Sequence, residues 1–319
     1  MRWANAVDPT LGNVEIVFDE ALTNQIVSEL RGLPKWSEAK ITLRVLPGGI
    51  TNRNFVAEID GSSYVVRIPG ERTEVLGINR LHEANAAQRA ADLGIAPPIA
   101  GELSGFNTLI TSFVEGQHLA GSLFTDRLPE VIDLIQRFHN GGDIDGKFPI
   151  HRIVEAHVRD AQINGVTPPK LWNQLHAVSL RIEAQFAQSL DQLVPCHNDL
   201  LPTNVLFSKD RTWLLDFEYA GMNNAYFDLA NLSANTELDQ TGDETILVNY
   251  FGSVTAERWA KLQLMKIMSE LREGLWAVVQ QAISTLDTDF VSYADVRLAN
   301  CQRLANSADF ERLLDDVAR

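Results

Sequence analysis

The chain has 319 residues, with 27 lysines and arginines against 42 aspartates and glutamates, for a formal net charge of −15. That length leaves room for about two domains at roughly 150 residues each, and the acidic balance argues against nucleic acid or an anionic membrane as partner, because the mean field repels phosphates. Hydrophobic residues at 45% suffice for a core and exclude wholesale disorder.

No apolar run is long enough to span a bilayer. The opening segment MRWANAVDPTLGNVEIVFDE has no basic region followed by an apolar one, so no secretory signal is expected. The only cysteines are Cys196 and Cys301, which make no disulfide framework. A soluble protein of the reducing cytoplasm is the expectation.

In chain order, a polar leader runs to Val17. An amphipathic helix is expected from Phe18 to Leu30, because Leu22, Ile26, Val27 and Leu30 fall at helical spacing. Strands follow at Ile41–Leu46, Asn54–Ile59 and Ser63–Ile68, the last two joined by a tight hairpin at Gly61-Ser62, with Pro69-Gly70 ending the third. An alanine-rich helix spans Ile78–Leu93 and stops at Gly94 and Pro97-Pro98. Strands Ile99–Leu103 and Thr108–Val114 then lead to Glu115-Gly116.

From Leu123 the pattern turns helical, over Leu123–Phe138, Ile150–Asp160 and Trp172–Leu190. A β-rich insert, Val194–Leu215, interrupts these helices; they resume at Ala225 and include a long one from Ala256 to Ile283. No internal repeat or low-complexity segment is present. The pattern predicts an α+β fold: a small antiparallel-sheet lobe over residues 1–114 and a mostly helical lobe over 115–319.

The stretch from Val194 to Gly221, VPCHNDLLPTNVLFSKDRTWLLDFEYAG, carries the chemistry. It holds His197-Asn198-Asp199, then Asn204, and Asp216-Phe217-Glu218 after a short strand pair. A turn bearing Asp199 and Asn204 lets one side chain face a nucleophile while the other faces a metal. The strands at Val205–Phe207 and Trp213–Leu215 then return Asp216 beside Asn204. An amide oxygen and a carboxylate are hard ligands suited to Mg²⁺ carrying a triphosphate. This is the catalytic-loop and metal-loop spacing of kinases, H-x-D-x-x-x-x-N followed by D-F-G, with Glu218 in place of the glycine and Asn198 where protein kinases have arginine. Taken singly, these residues are also ordinary turn formers; their order, spacing and flanking strands together are not ordinary.

CHNDLLPTN followed by LLDFEYAG resembles the choline/ethanolamine kinase family. The resemblance runs from about Leu46 to Arg297 and implies a protein-kinase-like two-lobed fold, with a nucleotide cleft between the lobes and ATP and Mg²⁺ as cofactors. On that basis Asp199 is the expected catalytic carboxylate, orienting the acceptor hydroxyl and accepting its proton, with Asn204 and Asp216 holding the metal. Gly48, Gly49, Thr51 and Asn52, in LPGGITN, would contact phosphates from a loop between two strands, where Gly-Gly also marks ordinary hairpins. Arg67 takes the place of the kinase β3 lysine, as in the choline kinase family, and its planar fork can hold two phosphate oxygens. Glu83 on the next helix would pair with it, although an exposed helix glutamate reads the same way. The hinge residues Ser112 and Val114 would face adenine. The helix ending in Leu134–His139 resembles one found across these kinases, and His139 reads as structural.

For the acceptor, Tyr219, Trp276 and Tyr293 match positions where the family boxes a trimethylammonium, although aromatics on an apolar helix are more often plain core. Glu273 departs from the second aromatic usual in eukaryotic members, and Leu200 and Leu201 replace polar residues. Choline and ethanolamine both remain open. Asp228, in YFDLAN, matches a family aspartate expected to brace the catalytic loop. The expected partner is a small amino alcohol, with no nucleic acid and no membrane, and a homodimer is compatible with the resemblance. Alternatives are a phosphotransferase acting on an aminoglycoside or thiamine, or a nucleotide-binding pseudokinase, against which intact Asp199, Asn204 and Asp216 argue.

Overall fold

The structure is a computed structural model that describes residues 20–46, 52–70, 72–286 and 288–317. The leader and most of the Gly48–Thr51 loop, including Gly48, Gly49 and Thr51 themselves, lie outside the described residues.

Helix α1 (Glu20–Gly32) precedes β1 (Ile41–Leu46), β2 (Asn52–Ile59) and β3 (Ser62–Pro69). After α2 (Arg80–Asp92), strands β4 (Ile99–Leu103) and β5 (Thr108–Ser112) complete a five-stranded sheet of order β1-β2-β3-β5-β4, antiparallel throughout. The β2–β3 turn falls on Asp60-Gly61, one residue earlier than the expected Gly61-Ser62. Both turn residues have positive φ, 49° and 84°, which is the pattern a two-residue hairpin loop needs to match strand twist. Helix α2 starts at Arg80 and not Ile78, because the Asn79 side chain caps the Leu81 and His82 N–H groups at 3.0 and 3.2 Å. Strand β5 ends at Ser112; Phe113 N–H makes a last bond to Ser63 and the chain then leaves the sheet.

The expected single helix over Leu123–Phe138 is two, α3 (Ser122–Thr125) and α4 (Leu128–His139). Pro129 near the start of α4 cannot continue a preceding helix, since its ring clashes with the carbonyl four residues back. Then come α5 (Ile150–Ile163) and α6 (Trp172–Phe186), the latter ending short of Leu190 where Ser189 bonds the Asp191 carboxylate instead. Short strands β6 (Leu193–Cys196), β7 (Val205–Phe207), β8 (Thr212–Leu214) and β9 (Gly221–Asn224) form two pairs, β6 with β9 and β7 with β8. Five helices close the chain: α7 (Ala225–Asn235), α8 (Gln240–Phe251), α9 (Ala256–Ile283), α10 (Phe290–Ala305) and α11 (Phe310–Asp316).

Two cores follow from this layout. Ile26 and Leu30 of α1 pack with Phe55, Ala57, Val66 and Ile110 of the sheet. The larger core gathers the helices around α9, which is buried almost without break from Ala260 to Gln280. An all-round buried helix is a central strut, and α9 carries α5, α7, α10 and α11 against its sides. Leu76, Ile78, Ala86 and Ala90, in and before α2, join this larger core and not the sheet's. Among the described residues, no helix is long and apolar enough to cross a membrane.

Candidate active site

The pairing of Cys196 with Gly221 across β6 and β9 sets the catalytic segment beside the chain leaving the metal loop. Asn198 staples the two. Its backbone is left-handed, with φ of 63°, a conformation that asparagine tolerates better than most residues. Its Nδ2 donates to the Tyr219 carbonyl at 3.0 Å, and its Oδ1 accepts from Asn223 at 2.8 Å.

Asp228, fully buried on α7, accepts the backbone N–H groups of His197 and Asn198, both at 2.7 Å, which is the bracing expected of it. His139 joins Asp228 at 3.0 Å through Nε2 and Tyr250 at 2.6 Å through Nδ1, so it is structural here. Cys196 lies close to both, but the carboxylate and imidazole are committed to these bonds. Asn231, one turn further along α7, holds the Leu200 N–H at 2.5 Å. Loop geometry is therefore set by α7.

Asn204 Nδ2 donates to the Asp199 carbonyl at 2.9 Å and to its carboxylate at 3.3 Å. Leu215 N–H reaches the Asn204 carbonyl at 2.9 Å, which brings Asp216 alongside. Asp216 is left-handed as well, at φ 67°. Asn204 and Asp216 thus offer neighbouring hard oxygen donors, a set that fits Mg²⁺.

Arg67 reaches Asp216 at 2.5 Å and Glu218 at 2.6 Å, whereas Glu83 lies 3.7 Å away and is closer to Arg80 at 2.6 Å. The expected Arg67–Glu83 pair is thus the weakest of the three. The arginine enters from near the end of β3, opposite Asn54 of β2. Asn52 Nδ2 also donates to Glu218, at 3.3 Å. Burial and the Asp216 charge push the Glu218 carboxyl up to about 7, against the pull of Arg67. At the hinge, Ser112 N–H is already bonded to the Pro98 carbonyl at 2.8 Å, so it is not available to a nucleotide base. Val114 lies between the end of β5 and the isolated bridge of Gln117 with Phe207.

On the other side of Asp199, the structure gathers Tyr219, Glu273, Trp276 and Tyr293. Trp276 Nε1 donates to Tyr219 Oη at 3.0 Å, and the Trp276 and Tyr293 rings meet edge to face at 6.3 Å. Tyr293 Oη donates to Glu273 at 3.1 Å. The close approach of α10 that delivers Tyr293 depends on Gly274, where a Cβ would fall 2.8 Å from Leu298. Sequence reasoning missed Arg272. Its buried guanidinium donates from Nη1 to Asp199 at 2.9 Å and to Glu273, and stacks 4.3 Å from the Tyr219 ring centroid. The legible signal was a run of charge, Glu270-Leu271-Arg272-Glu273, between the mostly apolar stretches Leu262–Met268 and Leu275–Val279 of the long helix. Burial pushes the Asp199 carboxyl up to about 6, with Arg272 pulling the other way.

Comparison with known proteins adds a match of residues 42–264 to the model of the phosphotransferase enzyme family APH. The chain belongs to this family. Among relatives of this phosphotransferase, Protein LicA of Haemophilus influenzae is 27% identical over 79% of this chain and 76% of its own length. Ethanolamine kinase 2 of Mus musculus is 26% identical over 86% of this chain and 78% of its own. A choline/ethanolamine kinase family protein from Mesorhizobium loti superposes with a TM-score of 0.80 at 27% identity, covering 93% of this chain and 99% of that one. Choline kinase LicA from Streptococcus pneumoniae, at 22% identity and a TM-score of 0.74 over 89% and 99% of the two chains, shares the fold. The protein-kinase-like architecture is thus that of the family, and the chain is a kinase-type phosphotransferase.

Proposed function

We propose that this phosphotransferase uses ATP and Mg²⁺ to phosphorylate the hydroxyl of a small amino alcohol, choline or ethanolamine. The observation that carries the reading is the junction of Asp199 with the Tyr219, Trp276, Tyr293 and Glu273 group. A carboxylate able to take a hydroxyl proton adjoins aromatic rings and an acid suited to an ammonium. The names of the relatives support the same acceptor class.

In this reading Asp199 orients the acceptor hydroxyl and receives its proton. A bond forms between that oxygen and the γ-phosphorus, the bond to the β–γ bridging oxygen breaks, and ADP leaves. Asn204 and Asp216 hold Mg²⁺, which when bound neutralises charge on the phosphates. Arg67 adds a permanent positive charge from β3, and Asn52 borders the phosphates. Because such transition states are loose, alignment and electrostatics contribute more than proton removal. Both cysteines are free and buried, in keeping with a cytoplasmic setting.

ADP release with ATP and Mg²⁺ against choline, ethanolamine, their methylated intermediates, an aminoglycoside and thiamine tests the reading. Turnover on an amino alcohol is expected. Turnover confined to the aminoglycoside or thiamine, or nucleotide binding without turnover on any amine, would overturn it.

A further inference from the structure

The acceptor group contains a cation of its own. Arg272 is among the largest fully buried side chains of the protein, and a buried charge needs partners to persist. It has two carboxylates, Asp199 at 2.9 Å and Glu273, and the face of Tyr219 at 4.3 Å. An aromatic face that already holds a guanidinium is not free to hold a second cation, and like charges brought together in a dry site repel strongly.

In an amino alcohol the ammonium is two carbons from the hydroxyl. A hydroxyl seated at Asp199 therefore brings the acceptor's charge close to Arg272. A quaternary ammonium has no N–H and depends on aromatic faces, one of which is taken. A primary ammonium carries three donors. The Glu273 carboxylate, bonded by Arg272 on one oxygen and by Tyr293 on the other, retains lone pairs to accept from it.

We propose that Arg272 is a specificity-determining residue, a resident cation that closes the Tyr219 face to a quaternary ammonium and leaves Glu273, Trp276 and Tyr293 to receive an ammonium with N–H donors. The inference rests on the amino-alcohol kinase reading and narrows it. The methylation series from ethanolamine to choline tests it, in the wild-type protein, in R272M, in E273Q and in the double variant R272M/E273Q. Wild-type kcat/KM should fall with each methyl, by about tenfold or more from end to end. R272M should shift that ratio toward choline by about tenfold, with KM for ATP moving less than about twofold. R272M leaves two buried carboxylates without their cation; should it fail to fold, the double variant, which removes charge of both signs, is compared with E273Q alone and is expected to shift the ratio further toward choline than E273Q does.

Preference of the wild type for choline, or a ratio unchanged from wild type in R272M or from E273Q in the double variant, overturns the proposal. Calorimetric titration of the four amines in the presence of ADP and Mg²⁺ reads discrimination without turnover. Affinity falling with methylation but no phosphorylation upholds the role of Arg272 and sinks the kinase reading. Equal affinity for all four amines overturns the role of Arg272 whatever the turnover, and no binding of any amine overturns both.

Discussion

Asp199 and Asp216 are both carboxylates in one loop system, yet their surroundings assign them different work. Asp199 is buried between Asn204 and Arg272, whereas Asp216 sits in a left-handed turn against Arg67. Asp199→Asn keeps the shape and removes the proton acceptor, so kcat should fall by about 10²–10⁴-fold while KM for ATP changes little. Equal losses in both parameters, by steady-state kinetics, would remove Asp199 from the proposed role. For Asp216 the informative change is Asn and not Ala, because asparagine accepts a positive φ without added strain. Asp216→Asn should abolish activity together with its dependence on added Mg²⁺. Retained metal-dependent turnover in a Mg²⁺ titration would refute the ligand assignment.

The elements explain how such a loop stays in place. Strand β6 is short, and residues 197–201 of the catalytic segment lie in neither helix nor strand. Its conformation comes from Asp228 and Asn231 on α7, which accept the N–H groups of His197, Asn198 and Leu200. Bonds from backbone N–H to a buried carboxylate contribute about 1.5–3 kcal/mol each. Asp228→Asn should therefore destabilise the fold by about 3 kcal/mol and loosen the loop, seen as a lower urea midpoint and reduced kcat. An unchanged midpoint would show that the brace contributes nothing. The brace was expected because Asp228 in YFDLAN matches an aspartate of the family that the chain resembles. Asn231 was not, because asparagine on a helix has many partners open to it until the fold selects one. The strands were legible because alternation is a local property, and the hairpin was legible too, although its turn fell on Asp60-Gly61, one residue before the expected Gly61-Ser62. Helix ends were less so: Pro129 and Asn79 decide them through single contacts that periodicity ignores.

At the scale of the whole molecule, the helical lobe encloses neutral histidine as well as charge. His157 on α5 is buried, with neither ring nitrogen bonded within the described residues. Burial, with Arg272 nearby, lowers its pKa from 6.5 to about 3. Below pH 6.5 the unfolded chain takes up a proton that the folded chain refuses, so stability is lost as pH falls from about 6.5 toward 3. The slope from this one group approaches about 1.4 kcal/mol per pH unit. His157→Leu should flatten the dependence over pH 6.5–4 in urea denaturation, and an identical slope in the variant would exclude His157 as its source.

The sequence by itself determined the reaction class and the order of its parts, because H-x-D-x-x-x-x-N and D-F-E hold their residues on contiguous loops where spacing is geometry. It also determined the sheet lobe and the long α9, whose patterns are local. Only the tertiary structure decided which charges meet. Arg67 turned to Asp216 and Glu218 more closely than to Glu83, and Arg272 spanned 73 positions to reach Asp199. Such pairs depend on which helix faces which loop once the core has closed. Periodicity reports that a residue is buried, but the partner of a buried charge is chosen by packing.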